Sequence, residues 1–295
     1  MFNRYILLIL ALVCYLSGNA QLSTSKLFFD HLTTEEGLAH NYILSIFQDE
    51  DGFVWLGSDN GLNRYDGQHI DILSSNTKPA LGGNRIRRII QDKSKTLWIL
   101  HENGLDMMDH YTQHIRSFLY GRELKKHILG FGLDDNGDLA AFTESDILLY
   151  NSNSGSFDIK QTAPANFLFS AFVKCGNRYY LGTRRHGIIV YNENWKLLEH
   201  IYPTSIQGGI LEDGLISLLR VDSNGSIWSV MAGLCIQKYD PVTRIVQTYP
   251  LSAHSVINRE VRDIIELNAD YMLVGTFNGL YRLHKRTFQA IVEEG

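Results

Sequence analysis

Six short runs along this chain are rich in apolar residues and read as roughly alternating: ILSIF from Ile43, IRRII from Ile86, ILGFGL from Ile128, FSAFV from Phe169, LISLLRV from Leu215 and VRDIIEL from Val261. A period of two sends successive side chains to opposite faces, so each run predicts a β-strand. Each run ends in turn formers, written DEDG, DKSK, DDNG, CGN, DSNG or NAD. There Asp and Asn side chains satisfy nearby amides and Gly accepts positive φ. A second apolar run follows, then a glycine turn such as SDNGL, HENGL, RRHGI or FNGL. A third strand ends near Tyr65, Met108, Tyr150, Tyr191, Tyr239 or Leu283, and a looser fourth closes near Phe118, Phe157, Ile201, Tyr249 or Phe288.

The pattern is one unit repeated. Aligned on the second strand, Trp55 corresponds to Trp98, Ala140, Tyr180, Trp228 and Leu273, at intervals of 40 to 48 residues. Four antiparallel strands per period of this length is the arithmetic of a β-propeller blade, whose faces bury against neighbouring blades. The fold class expected is therefore all-β, with six blades visible and a seven-bladed ring as the expected whole. Residues 41–295 carry the repeats, and residues 21–40 form an N-terminal segment whose LFFD run, Leu27 to Asp30, is a possible ring-closing strand. Trp55 is expected in the core. Two departures stand out: Lys95 where the first unit has Gly52, and Ala140 where it has Trp55.

Composition narrows the function. The chain of 295 residues carries 27 basic and 32 acidic residues, a net charge of −5, so no global field favours nucleic acid or an anionic membrane. Glycine, at 25 against 5 prolines, and 11% aromatic content suit strands joined by glycine turns. The N-terminus, with Arg4 ahead of an apolar stretch from Tyr5 to Leu16 and small residues Gly18 and Ala20 before Gln21, reads as a signal peptide over residues 1–20. Its apolar stretch is short of the roughly 20 residues a spanning helix needs. Cys14 follows Leu12 and Val13 rather than the small residues of a lipoprotein site. Past the leader only Cys175 and Cys235 remain, which the repeat places at different positions of successive units and which read as unpaired.

The segment LTTEEGLAHNYILSIFQDEDGFVWLGSDNGLNRYDG resembles the two-component regulator propeller repeat, most specifically in GLAHNYILSI and in D-x-x-G-x-x-W-x-G-S/T-x-x-G-L. That family occupies the periplasmic sensor region of hybrid histidine kinases in glycan-degrading bacteria. The resemblance implies a noncatalytic extracytoplasmic sensor that binds an oligosaccharide, located in the periplasm. Its implied partners are the remaining domains of the receptor or a homodimer partner, with membrane attachment only through C-terminal regions this chain does not contain. No kinase, receiver or nucleotide-binding motif is found in the sequence.

Candidate chemistry is otherwise sparse. Asp49, Asp51, Asp134, Asp135, Asp138 and Asp222 sit in turns without the alternate-ligand spacing and distal Glu of an EF-type loop, and read as turn makers. His110 and His114 stand four apart within a connection between strands, not on a helix, so no metal or other cofactor is expected. Blade topology puts the start of strand one and the turn between strands two and three on the same face. Polar residues concentrate there, and Asn41, Asn84, Arg85, Arg184, Arg185, His186, Asn258 and Arg259 are the candidate ligand-binding residues. The adjacent guanidinium groups of Arg184 and Arg185 suit a carboxylate or sulfate. Arg85, Arg87 and Arg88 crowd one blade entrance, either adding positive potential to the central opening or pairing with carboxylates. Two rivals to a sensor remain open: a secreted polysaccharide lyase or hydrolase, since propellers host several chemistries, and a scaffold for protein partners.

Overall fold

A computed structural model describes residues 31–134, 136–202, 214–251, 255–257, 260–276 and 279–293. The expected leader and LFFD run lie outside the described residues. Within them the chain is all-β: six four-stranded antiparallel sheets, each ordered one to four in sequence, are set as the blades of a β-propeller. The blades run 43–73, 86–119, 130–162, 169–201, 216–250 and 261–293. Their first strands are Ile43–Gln48, Ile86–Gln91, Gly130–Leu133, Phe169–Cys175, Ile216–Val221 and Val261–Glu266. First strands of five blades line a central channel, which makes strand one the inner strand. No helix among the described residues is long and apolar enough to cross a membrane.

The D-x-x-G-x-x-W signature folds into one hydrogen-bonded device. Asp49 Oδ1 accepts the amides of Asp51 (3.1 Å) and Phe53 (2.9 Å), while Oδ2 accepts the Trp55 indole N–H at 2.7 Å. Asp92 does the same for Ser94, Thr96 and Trp98, and Asp222 for Asn224, Ser226 and Trp228. A spacing of six lets one carboxylate hold the turn and satisfy a buried indole that would otherwise cost about 1–3 kcal/mol. Trp55 is in the core as expected, and Trp98 and Trp228 are fully buried. In blade 3, where Ala140 replaces the tryptophan, Asp134 still holds the turn through the Asn136 and Asp138 amides. Lys95 takes the left-handed conformation of Gly52, at φ +62° against +91°. Its ammonium reaches back to Asp51 of blade 1 at 2.8 Å.

One correction concerns the last strand. The run at Phe288 is not itself extended: Phe288 sits in the preceding turn at φ +57° and stacks on Trp228 of blade 5 at 5.6 Å, so the fourth strand begins at Ala290. Burying the ring against the neighbouring blade outweighs the local preference for extended backbone.

Packing between blades follows one register. Ile46, Ile89, Phe131, Phe172, Leu219 and Ile264 occupy equivalent positions, pairing with Leu56, Ile99, Ala141, Leu181, Ser229 and Val274. The last five point to the preceding blade, and the five apolar clusters join blades 1 to 2, 2 to 3, 3 to 4, 4 to 5 and 5 to 6. Ile46 of blade 1 instead remains 70% exposed, against 8% for Ile89. On the opposite flank of blade 6, Ile265 and Ile291 are likewise exposed. Small residues permit the close approach elsewhere: a Cβ on Gly57 would meet Ile86 of the next blade at 2.7 Å, and one on Gly182 would meet Ile216 at 2.5 Å.

Candidate functional site

The upper face, where first strands begin and the turns between strands two and three lie, is woven together by hydrogen bonds across blades. Gly61 N–H donates to the Asn84 carbonyl at 2.7 Å, and Arg85 pairs with Asp59 at 2.8 Å, tying the start of blade 2 to the turn of blade 1. Glu102, in the turn of blade 2, accepts the Asn84 and Arg85 amides at 3.1 and 2.8 Å. Burial pushes the Glu102 carboxyl up, but its own amide and those of Asn84 and Arg85 outweigh it and hold the group below its usual range. Asn41 Oδ1 accepts the Thr34 amide at 2.7 Å, and Asn84 Oδ1 the Ser75 amide at 2.7 Å. These three predicted site residues are thus held in loop hydrogen bonds on the sector of blades 1 and 2.

Arg184, Arg185 and His186 lie on another sector. Arg184 donates its amide to the Leu168 carbonyl and pairs through its guanidinium with Glu144 of blade 3 at 2.5 Å. The His186 amide donates to Thr183 Oγ1 at 2.9 Å, its ring packs on Phe167, and its carbonyl accepts from the His200 ring. Arg184 and Arg185 join Leu129, Ser170, Leu215 and Ser217 around an open basin of about 730 Å³ spanning blades 3 to 5. The serine hydroxyls already donate to the Ile216 and Val230 carbonyls. The basin therefore offers guanidinium groups and an apolar floor. Asn258 and Arg259 lie outside the described residues.

A buried acid–base pair also exists. His101 Nδ1 accepts the Asn103 amide at 3.2 Å, which assigns the ring proton to Nε2, 3.3 Å from Asp106 Oδ1. Both side chains are fully buried, and Asp106 Oδ2 accepts the Gly82 amide at 2.8 Å. A Cβ on Gly83 would stand only 2.5 Å from the His101 ring, so the Gly82–Gly83 loop closes over the pair and leaves no room for substrate. His110 is paired with Asp51 at 3.0 Å across the turns of the lower face. Among the described residues no group of three or more His, Cys, Asp or Glu is placed to hold a metal.

One stretch of the chain matches a known family. Residues 37–60 match the family described as two component regulator propeller, covering the start of blade 1 through its glycine turn. The chain carries the two-component regulator propeller repeat. No curated protein matches the chain. Among solved structures, an extracellular domain assigned to a hybrid two component system of B. thetaiotaomicron superposes with a TM-score of 0.69 at 20% identity, covering 90% of this chain and 37% of that one. A second such domain from the same organism gives 0.64 at 18% identity, over 85% and 36%. The chain thus spans little more than a third of the length of these regulator-propeller neighbours. A catalytically inactive virginiamycin B lyase from Staphylococcus aureus, with quinupristin, gives 0.67 at 13% identity, over 85% of this chain and 83% of the lyase. At these identities the likeness is one of fold.

Sequence reasoning placed the candidate ligand-binding residues in and around the turns and singled out only Arg87 and Arg88 on the inner strands. Their register brings Ser45, Arg88, Gly130, Ala171, Leu218 and Asp263 to equivalent ladder positions, opposite Gly57, Leu100, Phe142, Gly182, Val230 and Gly275. The legible signal was the two charged residues at a position otherwise filled by small or apolar ones.

Proposed function

We propose that this chain is the ligand-sensing propeller of an extracytoplasmic region of a hybrid two-component receptor, and that it binds a carbohydrate without transforming it. The observation that carries the reading is the regulator-propeller repeat at residues 37–60, followed by five more blades in the same strand register. The neighbours described as extracellular domains of hybrid two component systems support the location and role.

The upper face supplies a mechanism. Arg85 pairs with Asp59, and Arg184 with Glu144, so each ion pair joins adjacent blades. A ligand carboxylate or sulfate that competes for Arg184, with Arg185 beside it, exchanges an inter-blade bond for a ligand bond. Such an exchange changes how blades 3 and 4 are coupled and is passed to whatever domain rests on them. Asn41, Asn84, His186, Asn258 and Arg259 are the remaining proposed contacts. The fold shared with a lyase over most of that enzyme's length keeps an enzymatic alternative open; that its substrate would be a polysaccharide rests on the sequence reading alone.

The test is a thermal-shift screen of the purified protein against neutral and acidic oligosaccharides, with reducing-sugar and unsaturated-product assays on the same samples. Stabilisation by one saccharide class with no product formed supports the sensor. Product formation replaces it with the enzyme, and stabilisation by no saccharide leaves a protein-binding scaffold as the reading.

A further inference from the structure

The central channel has a volume of about 370 Å³ and is walled by residues of five inner strands, among them Arg87, Arg88, Arg220, Arg262 and Asp263. Four arginines face one carboxylate, in a protein whose net charge is −5. Scattered charge does not produce this; the strand register does. Asp263 is engaged: its Oδ2 accepts from the Arg220 guanidinium at 2.9 Å, and Arg220 donates a further bond to the Leu219 carbonyl at 3.1 Å. Arg88 crosses towards blade 3, where Gly130 makes room; a Cβ there would stand 3.4 Å from Arg88 Nε. No side-chain hydrogen bond or ion pair joins Arg88 to another described residue.

We propose that the channel is a binding site for a small oxyanion, held between the guanidinium groups of Arg88 and Arg220. The chemistry recognised is a carboxylate or sulfate group, carried on an acidic monosaccharide or presented as the free inorganic ion. Guanidinium groups offer paired donors in a fixed fork that matches such oxygens. The channel volume lies at the small end of the roughly 300–1,000 Å³ of ligand pockets, which selects a single sugar or an ion over a chain. Burial, and then the charge of Arg220, pull Arg88 below the usual arginine range, with Asp263 opposing; an oxyanion between the two arginines reverses that balance. Asp263 is already held by Arg220, which leaves the Arg88 guanidinium facing the channel.

This site is distinct from the upper-face basin and does not rest on the sensor reading. The experiment is a titration of the purified protein with sodium glucuronate, sodium sulfate and glucose at ionic strength matched with sodium chloride, followed by thermal shift and calorimetry. The same titrations are run on Arg88→Gln, Arg220→Gln and, as an exposed arginine elsewhere, Arg122→Gln. We expect a saturable rise in Tm with glucuronate or sulfate and none with glucose. The affinity is expected to fall at least about tenfold in the first two variants, as loss of a charged hydrogen-bond pair demands, and to stay unchanged in the third. A response to glucuronate alone assigns the anion to a sugar; a response to sulfate alone assigns it to the inorganic ion. Unsaturable shifts equal in all four proteins would be the general salt effect on burial and would overturn the proposal, as would saturable binding that survives both channel substitutions. Because Arg88 is only half-buried and the Arg220–Asp263 pair is partly exposed, both channel variants are expected to fold; cooperative melting at low salt checks this. Loss of oligosaccharide binding on Arg184→Ala with anion binding intact separates the two sites.

Discussion

The aspartate that ties each turn to a tryptophan can be weighed within one molecule, because blade 3 keeps the aspartate and lacks the indole. Asp222 Oδ1 accepts the Asn224 and Ser226 amides at 3.0 and 2.9 Å, and Oδ2 accepts the indole N–H of the fully buried Trp228 at 2.9 Å. Asp134 makes the matching bonds to the Asn136 and Asp138 amides, at 2.8 and 2.9 Å, with Ala140 in place of the tryptophan. Removing either acceptor costs the turn about 1 kcal/mol, the scale of losing a side-chain cap. Asp222→Ala also orphans a buried N–H, a further ~1–3 kcal/mol. We therefore expect Asp222→Ala to destabilise by about 2–4 kcal/mol and Asp134→Ala by about 1 kcal/mol, measured from urea midpoints at unchanged m. Trp228→Phe removes the donor, so the cycle with Asp222→Ala isolates the indole bond as a coupling of about 1–3 kcal/mol. Equal costs for the two aspartates, or a coupling near zero, would refute the argument.

The open flank of blade 1 gives a second comparison: Ile89→Ala, in the core between blades 1 and 2, is expected to cost about 2–4 kcal/mol, while Ile46→Ala at the same register costs under about 1 kcal/mol, by chemical denaturation. Acid sensitivity follows from carboxyls held below their ordinary values: Glu266, by its bonds to Lys285 and Ser223, and Asp146, where burial opposes but Lys126, Thr162 and Ser145 prevail. Groups so depressed contribute stability that is complete above their ordinary values of 4.5 and 3.8 and is lost as pH falls through the lower folded ones. Tm should therefore hold down to about pH 5 and fall below it, less steeply in Glu266→Gln. Burial pushes the Cys235 thiol up to about 12, so iodoacetamide at pH 8 should label it only after unfolding, and mass spectrometry of native and urea-treated protein decides this.

Much of the fold was legible because blades repeat. All six third strands and four of the five fourth strands read from the sequence lie where alternation and turn residues put them, and the exception at Phe288 arose because a stacking partner in blade 5 cannot be read from a local pattern. The turn role of Asp49 and Asp222 was legible; their second role, as indole acceptors, appears only when the six-residue spacing is seen in three dimensions. Site residues were harder. Arg85 and Arg184 are charged and in turns, which marks them as surface, but only the assembled ring reveals that each is paired with the adjacent blade. Arg88 was legible as positive charge at the central opening, but Arg220 sits in an apolar run, and there a strand pattern hides a wall.

The inner strand must satisfy two demands with alternate residues. One set, Ile89, Phe131, Phe172, Leu219 and Ile264, is needed to join blades and admits only apolar side chains of sufficient size. The intervening set, including Arg88 and Asp263, is not bound by that demand over its whole length, so Gly130 and Arg88 can face each other where two large groups would clash. An arginine in this set loses hydration and must recover it from a partner. Arg220 recovers it from Asp263. Arg88 sits in register with Asp263 on another blade yet does not pair with it, and burial together with the charge of Arg220 disfavours its cation. Such an arrangement is costly to the folded chain alone and becomes favourable once an anion is bound, which is the energetic form of a ligand site rather than of a structural ion pair.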